Sequence, residues 1–334
     1  MLKICNAHLD EIAQLHYQEL KSGIEKHLRA KNGPLNIFLL KELKTVLSGK
    51  PDELKKRIID KIPEITKRQK KNGEWLTKKQ LVSLEDTFNY DNFRSRTKYG
   101  PYTIAHKLGL NTCPYCNRQY TFTLDPKVGK VRPEFDHFYN RATYPYLALS
   151  FYNLVPSCNI CNSRLKGSEN FCITSHIHPY LEDFIEDAKF RIELETGGKA
   201  GIKKIVGDGD VDFFYGSLNS FKIKLKIANP TTEKHVRINK NIEVFKLEEL
   251  YNQHKDYVIE IVQKVIVYNN TYVSELAKQF PGLFHDEEDV IRMAFANYIT
   301  SEELPKRVLS KLTKDILEDL KQDAYWSKGI KITS

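Results

Sequence analysis

The chain has no apolar run approaching the length of a membrane span, and no apolar core follows its basic N-terminus as it would in a secretion signal. Its 334 residues show no internal repeat and no low-complexity tract. An acidic excess is missing too, because 52 Lys+Arg outweigh 43 Asp+Glu for a formal charge of +9. Cysteine is sparse, with six in all, and four of these stand in two tight Cys-x-x-Cys pairs. These absences argue against a spanning or exported protein and predict a soluble one in the reducing cytoplasm, where paired cysteines suggest metal before disulfide.

What is present can build a full core. At 41% apolar side chains the chain is long enough for two or three domains. The positive charge is uneven: residues 1–112 hold 22 Lys+Arg against 13 Asp+Glu, and the remainder is balanced. A field of that sign attracts polyanions whatever their sequence. From Phe88 to Tyr102 aromatic and basic residues interleave (Phe88, Tyr90, Phe93, Arg94, Arg96, Lys98, Tyr99, Tyr102). That mixture suits base stacking with phosphate pairing, and equally a core-facing aromatic set with exposed cations between.

The patterning divides the chain into a basic, mainly helical region over 1–99, a central module over 100–184 and a C-terminal region over 185–334. In the first, Leu35, Phe38, Leu39 and Leu43 recur at helical spacing, Pro51 opens a helix and Pro63 ends or kinks one. A turn is expected at Lys71-Asn72-Gly73. In the second, Tyr120 to Leu124 and Val131 to His137 read as antiparallel partners around a turn at Asp125 to Gly129. Leu149 to Val155 reads as a further strand, and Asn159 to Lys166 as a short helix stopped by Gly167. In the third, strands are predicted at Phe190 to Glu195, Val211 to Tyr215 and Phe221 to Ile227, with turns at Gly197-Gly198 and Gly207-Asp208-Gly209. Helices follow over Thr232 to Gln279, 286–302 and 305–322. The fold class is α+β.

The cysteine pairs, Cys113/Cys116 and Cys158/Cys161, bracket Asp136-His137. Four thiolates in two short turns can close a tetrahedral structural Zn²⁺ site. Cleaving a phosphodiester needs a nucleophilic water, neutralised phosphate charge and a stabilised leaving oxygen. A hard divalent cation held by oxygen ligands and one neutral imidazole can supply these. Adjacent residues on a strand point to opposite faces, so Asp136 and His137 converge only where the strand end twists.

The run Glu134-Phe135-Asp136-His137-Phe138, then Tyr152-Asn153-Leu154-Val155-Pro156-Ser157-Cys158-Asn159-Ile160-Cys161-Asn162 and Lys166-Gly167, resembles the HNH, or ββα-metal, endonuclease family in its zinc-binding form. The resemblance covers Thr112 to Phe171. It implies that Asp136 is the acidic ligand of a catalytic Mg²⁺ or Mn²⁺ and His137 the general base. It further implies that the Asn153 amide braces the loop carrying the histidine, and that Asn162 stands where the motif has its last His and offers an amide oxygen as second ligand. The chain would be an H-N-N variant.

The expected function is metal-dependent cleavage of DNA. The central module with helical flanks also resembles HNH effectors of bacterial anti-phage defence, which act beside an ATPase subunit encoded alongside, so the flanks would dock that partner or support self-association. An RNase using the same site, for instance against transfer RNA, is the alternative, as is a noncatalytic zinc-stabilised nucleic-acid-binding subunit. Arg94 and Arg96, and Arg164 and Lys166 on the short helix, are candidate phosphate contacts. Glu134 is either a supporting acid or an exposed strand residue. Cys172, His176 and His178 form a Cys-x-x-x-His-x-His cluster read as packing rather than a second metal site, and Cys5 as a lone helical thiol.

Overall fold

The computed structural model describes residues 1–66, 75–194, 221–228 and 231–321. Outside the described residues lie the basic run Lys67 to Lys71 and the turn through Gly73. The Gly197 and Gly207 turns and the strand expected over Val211 to Tyr215 lie there too. The chain divides into two units, Met1–Asp183 and Phe184–Ser334.

In the first unit, Ile12, His16, Leu20, Ile24 and Leu28 recur every fourth residue along the helix Leu9–Arg29 and are all buried. Four-residue spacing keeps them on one face. Shorter helices follow at Pro34–Lys41, Leu43–Ser48 and Pro51–Glu53, the last continuing as a π-type turn over Leu54–Ile59. Pro63 sits in the first turn of Ile62–Thr66, where its missing N–H costs nothing. Residues 1–99 and the central segment belong to the same unit. His16 joins them: its Nε2 donates to the Leu149 carbonyl at 2.7 Å and its Nδ1 accepts from the Tyr99 hydroxyl at 3.0 Å. Leu2 N–H donates to Pro114 O, and Ile4 N–H to Pro179 O.

The central sheet has two strands, β1 (Glu134–His137) and β2 (Leu154–Ser157), antiparallel with Asp136 opposite Val155 and His137 opposite Leu154. A π-type helix, Ile160–Lys166, follows directly. The order strand, loop, strand, helix is as expected, but the strands are not. The 120–124 segment does not pair with 131–137; it contributes one bridge, Thr112 to Tyr120, and one bond, Leu124 N–H to Val131 O. Tyr120, Phe122, Leu124, Val128 and Val131 are all exposed, so no buried apolar face fixes a register there. Leu149 to Val155 is also not one strand, because Phe151–Asn153 forms a 3₁₀ turn before β2 begins.

In the second unit, β3 (Ala188–Leu194) pairs antiparallel with β4 (Phe221–Ile227). The helix Ser310–Lys321 packs on β3, where the Asp315 carboxylate accepts from the Phe190 N–H at 2.8 Å. The single helix expected over 232–279 is four: Glu233–Val244, Leu247–Tyr251, Lys255–Val267 and Asn270–Gln279. Lys246 at φ +46° interrupts the first pair, and the Asn269 side chain caps the last. The apolar periodicity ran through these breaks because each helix buries the same kind of stripe. Glu287–Phe295 and Ser310–Lys321 fall inside the remaining expected helices. Among the described residues no helix is long and apolar enough to cross a membrane.

Candidate functional site

The four paired cysteines meet. Cys113, Cys116, Cys158 and Cys161 are buried, their sulfurs all lie within 4.8 Å of one another, and Cys116 and Cys158 are 3.9 Å apart. Tetrahedral Zn–S bonds of about 2.3 Å put ligand sulfurs roughly 3.8 Å apart, so the cage matches a metal such as zinc. The turn is built for it: Asn117 adopts φ +50°, which Asn tolerates, and donates its N–H to Cys113 O at 2.8 Å. Backbone N–H groups of Arg118, Cys158 and Cys161 point at the sulfurs of Cys116, Cys113 and Cys158. Hydrogen bonds from the other three thiols pull Cys158 well down, whereas burial pushes Cys113 up, and Cys161 is held up by donating to its neighbours. A cation among the four sulfurs would favour their thiolate forms.

The second turn residue between the first pair, Tyr115, carries the cage to the candidate catalytic strand. Burial, reinforced by the Asp136 charge, raises its phenol well above the ordinary value, so it stays protonated and donates to Asp136 Oδ2 at 2.6 Å. The other carboxylate oxygen, Oδ1, accepts from Lys166 Nζ at 2.8 Å, and both side chains are almost fully buried. Lys166 Nζ also donates to the His137 carbonyl at 2.8 Å and lies 4.9 Å over the Phe171 ring. Lys166, expected at the surface as a phosphate contact, is therefore an interior ion-pair partner.

Glu134 and Asp136 share one face of β1, and Asn162 and Lys166, four apart, share the facing side of the π-type helix. The Glu134 carboxylate accepts from Asn159 Nδ2 at 2.7 Å, Asn162 Nδ2 at 2.8 Å and Ser163 Oγ at 2.7 Å. Burial works to raise its pKa, but these three donors together outweigh it and hold the carboxyl below its usual value. Because a carboxylate only accepts, Asn162 must present its nitrogen to Glu134, which leaves its oxygen as the remaining acceptor. Glu134 is thus engaged by three donors from the 159–163 segment.

His137 ends β1. Its Nε2 lies 3.0 Å from the Ala148 carbonyl. A carbonyl only accepts, so Nε2 carries the proton and Nδ1 is the free acceptor of the neutral ring. Burial pushes its pKa down to about 3. Tyr90 packs edge-on against the imidazole, with centroids 4.5 Å apart at 79°. Asn153, fully buried, fixes the loop between: its Oδ1 accepts from Tyr139 N–H at 2.7 Å, and its Nδ2 donates to Tyr139 O at 3.1 Å and Leu147 O at 3.0 Å.

Asp136, His137 and Asn162 line one open cleft of about 650 Å³ with Arg94, Arg132 and Arg141. Asp91 lies 3.6 Å from Arg94 and 3.7 Å from Arg141, while Arg132 lies over the rings of Tyr102 and Phe135. Arg96 and Arg164 are exposed but do not line this cleft. Of the aromatic stretch, Phe88, Phe93 and Tyr99 are core residues. Cys172, His176 and His178 pack: His176 stacks on Phe171 at 3.7 Å, His178 lies 4.0 Å from Phe138, and the Cys172 thiol meets Thr174 Oγ1. Sequence reasoning missed Tyr115, Arg132 and Arg141. Arg132 is two residues before Glu134, a signal that was available; Tyr115 and Arg141 carry none outside the fold.

Compared with known proteins, the chain is similar to Protein ea31 of Escherichia phage lambda. The two are 26% identical over 206 residues, which is 61% of this chain and 59% of that protein. The chain thus spans about three-fifths of that relative's length. No family model and no solved structure matches it.

Proposed function

We propose that this protein is an HNH-type endonuclease that hydrolyses phosphodiester bonds in DNA with a hard divalent cation. The observation that carries the reading is His137: Nε2 is spent on the Ala148 carbonyl, and the neutral ring keeps Nδ1 as a base on a residue lining an arginine-edged cleft. A base in that state takes a proton from water without first having to lose one. The donor set fits Mg²⁺ or Mn²⁺. Asp136 and the Asn162 amide oxygen are hard ligands, and an ammonium already rests on Asp136 Oδ1 and the His137 carbonyl, where a cation is therefore favoured. When bound, the ion would offset charge on the phosphate and on the leaving oxygen. Arg94, Arg132 and Arg141 would hold the backbone on either side of the scissile bond, because Asp136 is already paired with Lys166 and Glu134 is bound by neutral donors rather than by these arginines. We extend the reading to an effector nuclease working beside an ATPase partner, on the resemblance of the flanked central motif alone.

The test is cleavage of supercoiled plasmid by the purified chain with Mg²⁺ or Mn²⁺, with and without chelator. His137→Ala should lower the rate about 10²- to 10⁴-fold while leaving DNA affinity intact. Arg132→Ala and Arg141→Ala should weaken binding and flatten its salt dependence, and Arg164→Ala should not. Cleavage of RNA but not plasmid would move the substrate to RNA, and undiminished cleavage by the His137 variant would sink the assignment.

A further inference from the structure

Lys166 is a buried ammonium held by two oxygens that a divalent ion could also use. It touches a carboxylate oxygen of Asp136 at 2.8 Å and the carbonyl oxygen of His137 at 2.8 Å, and its third side faces the Phe171 ring at 4.9 Å. Both members of the ion pair are shut from solvent, with side chains 1% and 2% exposed. Asp136 carries one negative charge, and its second oxygen already accepts from Tyr115. A divalent cation reaching Asp136 therefore meets a carboxylate that is neutralised, with a like charge in contact with it in a poorly screened interior. Ion and ammonium both seek Oδ1, and their mutual repulsion at that distance favours one of them at a time.

We propose that Lys166 is a resident cation which a divalent ion must displace from Asp136, so that metal binding and the position of this lysine are one equilibrium. The inference rests on the metal-dependent reading above. The fold supplies a way out, because Lys166 itself lines the cleft beside Asn162, Arg94 and Arg141. An ammonium moved off Asp136 enters the space where a phosphate would sit. Without the ion, Lys166 keeps Asp136 from being a buried, unpaired charge; with the ion, it adds a positive group to the cleft. A phosphate there would favour the displaced position, so substrate and metal should bind with positive coupling.

The experiment is Mn²⁺ binding to the full-length protein as purified, followed by isothermal titration, together with chemical acetylation of its lysines read by mass spectrometry. Lys166 should resist acetylation compared with exposed Lys127 and Lys130 when Mn²⁺ is absent, and should gain reactivity at saturating Mn²⁺. Lys166→Met should bind Mn²⁺ about tenfold more tightly than the parent, and Mn²⁺ should raise its melting temperature more. Asp136→Asn, which removes the charge both cations need, should lose Mn²⁺ binding. Unchanged Mn²⁺ affinity in Lys166→Met, or a lysine still protected at saturation, would overturn the proposal. Should Lys166→Met fail to fold, acetylation of the parent decides alone. None of these readouts requires cleavage: if the ion binds and frees Lys166 yet no nucleic acid is cut, the nuclease reading fails and this one stands.

Discussion

The Tyr115 hydroxyl donates to Asp136 Oδ2 at 2.6 Å, and Tyr115 lies inside the first Cys-x-x-Cys turn. The cysteine cage and the candidate catalytic carboxylate are therefore one structure. Closing the turn around a metal sets where this phenol stands, and the phenol sets one oxygen of Asp136. Tyr115→Phe keeps the ring and the turn and removes only that donor. Losing a hydrogen bond to a buried charged group costs about 1.5–3 kcal/mol. We expect an unfolding free energy in urea lowered by that amount, zinc content unchanged by elemental analysis, and weaker Mn²⁺ dependence of cleavage. A variant with reduced zinc would instead place Tyr115 in the integrity of the cage.

Tyr90 makes a second prediction, because it covers the His137 ring from the helix Tyr90–Arg94. Burial depresses the His137 pKa to about 3, and Tyr90 is part of what excludes water. In Tyr90→Ala the imidazole should move up towards its ordinary value near 6.5. A base that protonates at higher pH is lost earlier on acidification, so the acid limb of the rate profile should shift upward. Cleavage rates between pH 5 and 8 check this. The variant should fall further behind the parent at pH 5 than at pH 8, and parallel profiles would remove Tyr90 from the site.

Much of this arrangement was legible because chain-local spacing carries it. Cys-x-x-Cys brings two sulfurs together whatever surrounds it, and Asn162 to Lys166 share a helix face by geometry alone. Asn153 was singled out by its position, and it is fully buried with three bonds to the 139–147 loop. What failed was alternation without burial. Tyr120 to Leu124 alternates as a strand would, yet its apolar side chains stay exposed and it pairs at one bridge only, since register is fixed by an apolar face that must be buried. Lys166 failed for the opposite reason. A lysine beside a helix end reads as solvated, and only the placement of Asp136 on the facing strand takes it inside.

Acid should destabilise the fold well before its carboxylates protonate. Burial holds His16 down to about 4 and His178 to about 3, against an ordinary value near 6.5 in the unfolded chain. The unfolded state therefore binds more protons between those limits, and stability rises with pH across them. The contribution is complete above about pH 6.5 and is lost as pH falls towards the folded values, at about 1.4 kcal/mol per unit per histidine. Urea midpoints at pH 7.5, 6.0 and 5.0 should fall in that order. His16→Gln should fall less steeply than the parent, since one of these groups no longer titrates.

The cysteine cage should hold about one zinc per chain, because four buried sulfurs within 4.8 Å of one another are costly to keep together without a cation. Burial and mutual hydrogen bonding leave Cys113 and Cys161 reluctant to ionise alone, so the ion is what makes the set stable as thiolates. Cys113→Ser replaces a ligand that also accepts the Cys158 N–H. It should lower zinc content, loosen the start of the π-type helix and release Tyr115 from Asp136, with loss of structure confined to the first unit. Hydrogen exchange across 110–166, before and after a strong chelator, measures that spread. Protection lost around Cys113 and Cys158 but kept at Glu134 to His137 would show the cage to be independent of the strand it was expected to support.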